Sequence, residues 1–228
     1  MSDADADRRL ATVELLGVLA YGQLRSFAAM SSAVRFAPDA RAADRIAAFA
    51  GREHDAYRAL HDHLASLSDL ATAAMDRQKG LFDRFFERAP LDDWFGAMVF
   101  FAFGIPLARD FMRTVVPMLD PGSGDVVLRT LEDRAEVEAA AIGLLRSELT
   151  SDAARERARG IVADLLGQAL TSFQQAAGDS DALSVLLGAD DDDEASVEVR
   201  RLAMGLLTAH RGRLVELGLE GPEDLAGD

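Results

Sequence analysis

The chain has 228 residues, 49% of them hydrophobic and 28% charged, which is enough apolar material for a buried core in one large domain or two small ones. Acidic residues outnumber basic ones by 39 to 24, and the net charge of −15 argues against a nucleic-acid partner, whose phosphates require a basic face. With no cysteine, disulfides, thiolate metal sites and thiol nucleophiles are excluded, so any metal must be held by carboxylate and imidazole. The acidic start, Met1 to Asp7, lacks the basic and apolar regions of a secretory signal. No apolar run reaches the roughly 18 residues that suggest a membrane span, so a cytoplasmic protein without a membrane partner is expected.

Leu10, Val13, Leu16, Ala20, Gln23, Phe27, Met30 and Val34 recur at steps of three and four, the period of one helix face, and predict a first long helix to about Phe36. Pro38-Asp39 ends it and opens a second, with inner face Ile46, Phe49, Glu53, Ala56, Leu60, Leu64 and Leu67. Each long helix spans about 40 Å at 1.5 Å per residue. A shorter amphipathic helix is expected from about Ala71 to Glu87. A third long helix follows Ala89-Pro90, and Gly104 and Pro106 inside it should distort it by removing a backbone hydrogen bond. Leu119 to Gly122 stops that helix, and a fourth runs from about Gly124 to Leu149. Thr150 to Asp152 caps a fifth, and a sixth runs from Ala195 to about Leu217.

Between the last two lie Gly178 to Asp181 and the acidic run Asp190 to Glu194. These carboxylates lack the interleaving, central glycine and terminal glutamate of a calcium loop, and they read as a solvated linker and helix N-terminus, where they suit the helix dipole. No alternating β pattern occurs. The fold class is therefore all-α: a ferritin-like antiparallel four-helix bundle with one crossover. It forms a single domain over 1–228, with a core at about 8–150 and additional C-terminal helices at about 152–219.

In such a bundle, metal is held by inward carboxylates and by Glu-x-x-His pairs, because positions i and i+3 share a helix face. Glu53 interrupts the apolar stripe of the second helix and fits the carboxylate role, but its i+3 neighbour is Ala56. His54 points about 100° away from Glu53 around the helix. His61, His63 and His210 read as surface or interface imidazoles. Gln23 is the inward polar residue of the first helix, a good hydrogen-bond donor to a buried carboxylate and a poor ligand for iron. Asp133-x-x-Glu136 has helical spacing on the fourth helix with no histidine, and Arg109 with Asp110 on the third reads equally well as a surface pair beyond the distortion.

Three segments, Gly17 to Leu24 (Gly-Val-Leu-Ala-Tyr-Gly-Gln-Leu), Phe82 to Trp94, and Asp110-Phe111 followed by Leu119-Asp120-Pro121, resemble the ferritin-like proteins of actinobacteria grouped with the MiaE-like tRNA hydroxylases. The similarity covers roughly Thr12 to Leu219. It implies a di-iron bundle with Tyr-Gly-Glu-Leu on the first helix, where this chain has Gln23. It also implies Glu-x-x-His on the second, where Glu53 is kept and Ala56 replaces the histidine, and an acidic residue near Ile105 on the third. On the fourth it implies Asp-x-x-His, where Asp133 is kept and Glu136 replaces the histidine. Glu53, Asp133 and Glu136 are thus remnant metal positions, with Gln23 as a polar core partner.

Two functions follow as expectations. One is a non-catalytic protein with a degenerate site and no cofactor, forming a homodimer or binding a protein partner, with Phe100, Phe101 and Phe103, or Phe82, Phe85 and Phe86, offering an association face as an alternative to core packing. The other is an active di-iron hydroxylase with iron as cofactor. A metal-free acid–base pair is a third and weaker reading.

Overall fold

In the computed structural model the described residues are 3–132, 135–179, 185–186 and 192–220. They form α1 (Asp3–Ala33), α2 (Ala40–Leu67), α3 (Ala71–Glu87), α4 (Trp94–Val99), α5 (Ile105–Val115), α6 (Pro121–Glu132), α7 (Ala135–Glu148), α8 (Asp152–Asp179) and α9 (Asp192–Leu217). No strand occurs among the described residues. Asp133 and most of the acidic linker, including Asp190 and Asp191, lie outside them.

The helix starts follow side-chain chemistry. Asp39 accepts the Ala42 N–H at 2.8 Å to cap α2, Asp93 accepts the Gly96 N–H at 2.7 Å to cap α4, and Asp120 accepts the Ser123 N–H at 3.1 Å ahead of α6. The last of these corrects the expected start near Gly124: Pro121 has no N–H to lose at the first helical position, so the helix begins there. Ser151 caps α8 through the Ala154 N–H at 3.1 Å.

α1 and α2 pack as an antiparallel hairpin, α3 lies across α1, and α2 meets α6 while α4 meets α7. This is the pairing of two helix hairpins joined by a crossover. On α2 the expected stripe is buried from Ile46 to Leu64, with Glu53 inside it. On α1 the stripe holds except at Leu10, which is 59% exposed. Gly17 lets α3 approach: a Cβ there would lie 2.9 Å from the Ala74 carbonyl. Gly96 does the same for the turn before α4, since a Cβ would fall 2.2 Å from the Pro90 oxygen.

Between α4 and α5 the helix widens into a π-helical stretch, Phe100–Gly104, immediately before Ile105-Pro106. The distortion anticipated from Gly104 and Pro106 thus takes the form of one wide turn, which absorbs the hydrogen bond that proline cannot make. Phe100, Phe101 and Phe103 are at most 1% exposed and form the centre of the core, so they are packing residues and offer no association face. The helical run Trp94–Met118 is long and apolar enough by average to cross a membrane, with mean hydropathy 1.4, although its uncharged stretch ends at Arg109 and Asp110. It is 83% buried inside the bundle and is a core helix.

α8 packs against the π stretch, α3 and α4, and α9 packs against α5. Arg157 of α8 bonds Asp93 at 2.6 Å and lies over the Phe95 ring at 4.7 Å, fastening α8 to the start of α4.

Candidate functional site

Gln23 of α1 and Glu53 of α2 meet in the bundle interior, as their places on the two inner stripes required. Glu53 is fully buried and Gln23 is 4% exposed, and the Gln23 Nε2 donates to the Glu53 Oε2. Ala56, one turn on, is buried and brings only a methyl group to this face. Glu136 goes elsewhere. Its side chain is 75% exposed and pairs with Arg52 at 2.8 Å, so it is turned to solvent rather than into the interior with Glu53.

The histidines are also dispersed. His54 is half-exposed and tilts against the Phe27 ring at 5.3 Å, His61 lies beside Asp62 at 3.3 Å, and His63 meets the Ser123 hydroxyl at 2.9 Å. His210 corrects a surface reading: it is 2% exposed and packs edge-on against Phe103 at 5.4 Å.

A second polar centre lies on α5. Arg109 and Asp110, for which a surface pair is one of two equal readings, are 1% and 8% exposed, so the surface reading is corrected. Arg109 Nη1 donates to Glu138 Oε2 of α7 at 2.8 Å. Arg213 of α9 donates from Nε to Glu138 Oε1 at 3.0 Å and from Nη2 to Asp110 Oδ2 at 2.5 Å. Two guanidiniums therefore face two carboxylates, and Arg113 closes the rim through Asp110 at 3.1 Å. Sequence reasoning missed Glu138 and Arg213 in this role; an apolar stripe on α7 interrupted by Glu138 was the available signal.

A cavity of about 150 Å³ opens between α1, α3, α5 and α8, with Leu206 of α9 at its wall. Gln23 and Arg109 both line it, so it connects the two polar centres. Gly104, the last residue of the π stretch, lines it too. Near it, Tyr21 donates to Asp83 at 3.0 Å. Burial, with the bond to Asp83 and its negative charge, pushes the Tyr21 hydroxyl above its ordinary pKa. Asp83 is held below the usual carboxylate range, first by its bond from Lys79 and then by Tyr21 and Arg25, against the opposing effect of burial.

The paired helix hairpins with a carboxylate at mid-bundle define a ferritin-like protein. The chain matches the family described as "Ferritin-like domain, actinomycetes" over residues 6–190 and belongs to that family. No curated protein matches it.

Among the described residues, the side chains around Glu53 do not supply the ligand set of the di-iron centre that this fold carries elsewhere. Glu53 has a neutral amide for its partner on α1, Ala56 supplies no imidazole, and Glu136 is on the surface. Among the described residues no group of three or more His, Asp or Glu is placed to hold a metal ion. Arg109 also lines the cavity, and its guanidinium, bonded to Glu138, has no acceptor atom to offer a metal.

Proposed function

We propose that this chain is a ferritin-like protein of the MiaE-like group that works without a di-iron centre, as a non-catalytic protein that self-associates or binds a protein partner. The observation carrying this reading is the Gln23–Glu53 hydrogen bond: an amide occupies the place of an anionic ligand and uses up one oxygen of the retained carboxylate. Salt bridges and hydrogen bonds within the chain hold the interior that metal would otherwise organise. The net charge of −15 favours a protein over a nucleic acid as partner, and we place the protein in the cytoplasm.

The test combines oxygen uptake by ferrous-loaded protein with light scattering over a concentration series. The reading expects no iron-dependent oxygen consumption, with a dimer or larger species where the chain self-associates and a monomer where its partner is another protein. Iron-stimulated uptake would overturn it in favour of an active tRNA-hydroxylase-like oxygenase. One observation favours that second reading: π-helical turns are frequent at functional sites, and this one ends at the cavity wall.

A further inference from the structure

We infer that the cavity beside Gln23 is a binding site for a small, neutral, apolar molecule about the size of a substituted benzene. The inference stands independently of the metal-free reading above. Its walls are mostly carbon, from five helices: Leu19 of α1, Phe82 of α3, Ile105 and Leu107 of α5, Leu170 of α8 and Leu206 of α9. At about 150 Å³ the space is the size of an apolar cavity that takes up benzene.

The polar groups on the wall decide the charge of the occupant. Gln23 donates to Glu53, the Ser26 hydroxyl donates to the Gly22 carbonyl at 3.1 Å, and Arg109 donates to Glu138 at 2.8 Å. Ser172, also on the wall, is a neutral hydroxyl. Arg109 is 1% exposed, so its charge is spent inside the protein and barely faces the space. A charged ligand would lose its hydration on entry and find no charge free to replace it, whereas a neutral apolar one loses nothing and gains contact with the walls. The π turn fits this role. It places Gly104, which has no side chain, against the cavity, while the phenylalanines before it turn into the core.

Ala108 of α5, which is exposed, and Ala169 of α8, which is half-buried, both line the cavity. Both positions can be enlarged without removing a buried contact.

The full chain would be titrated with benzene and separately with benzoate, following the thermal midpoint and the methyl NMR signals of Met112 and Leu170. We expect benzene to raise the midpoint saturably and to shift those signals, and benzoate to bind at least about tenfold more weakly. Ala169→Phe and, separately, Ala108→Leu should each weaken benzene binding by about tenfold or more. Should Ala169→Phe fail to fold, the exposed Ala108 position provides the same comparison. No saturable response to benzene would overturn the inference, as would benzene affinity unchanged in the folded variants. Benzoate binding as tightly as benzene would overturn it too, by showing an anion site at Arg109.

Discussion

Replacing Arg213 by Met should detach the C-terminal helix. Arg213 is 8% exposed and makes two charged hydrogen bonds, at 3.0 Å to Glu138 and 2.5 Å to Asp110. Its loss leaves buried Asp110 and part-buried Glu138 sharing what remains of the cluster, Arg109 on Glu138 and the half-exposed Arg113 on Asp110. Breaking a buried ion pair from one side costs about 3–5 kcal/mol, because the other charge stays desolvated. For a chain of this size that corresponds to a drop of roughly 6–20 °C in Tm. Differential scanning calorimetry and urea unfolding would measure it, with limited proteolysis reporting early cleavage within α9. The double variant Arg213→Met with Asp110→Leu should recover part of the loss, since the stranded carboxylate is removed with its partner. A loss below about 1 kcal/mol, with α9 as resistant to protease as before, would refute the reasoning, because that is the range of exposed pairs.

Gly96→Ala should destabilise by about 1–3 kcal/mol or more, since its Cβ meets the Pro90 carbonyl at 2.2 Å and backbone must move; an unchanged urea midpoint would contradict the packing described. At Asp93 and Asp120, burial alone would raise the pKa, but the Gly96 N–H and Arg157 for the first, and the Ser123 hydroxyl with the Ser123 and Gly122 N–H groups for the second, hold both below the usual range. Their folded values are depressed, so their stabilisation is complete above about pH 4 and is lost as pH falls through the folded values. Asp120→Asn, which keeps a capping side chain, should therefore flatten the acid-unfolding curve below about pH 4, as circular dichroism would show. Glu53→Gln should leave the fold intact or stabilise it, because a buried charge gives way to an amide that still bonds Gln23; a Tm fall of more than about 5 °C would speak against this.

The bundle was legible because α1 and α2 bury one face at a constant step, and Glu53 stood out as a charge inside that stripe. Its pairing with Gln23 followed from two inner faces meeting at mid-length. The cluster around Arg109 was hidden because its partners are distant in sequence: Glu138 lies 29 residues away, and Arg213 lies 103 residues from Asp110. A charged pair ending an apolar run looks the same whether solvent or a later helix covers it. Here α9 covers it, and the same helix buries His210. Gly104 and Pro106 announced a distortion but not its form: Phe100 to Gly104 is apolar on every side, so no period reports the extra residue in the turn. Glu136 misled because i to i+3 spacing with Asp133 marks a shared face without saying which way that face points.

The most direct test is iron itself. The purified protein is loaded anaerobically with ferrous iron and desalted, and retained iron per chain is measured beside a variant carrying Gln23→Glu and Ala56→His. The account predicts no stoichiometric iron on the natural chain and more on the variant, since both substitutions place ligands beside Glu53. About two irons per chain on the unaltered protein, the complement of a ferritin-like di-iron site, would contradict it.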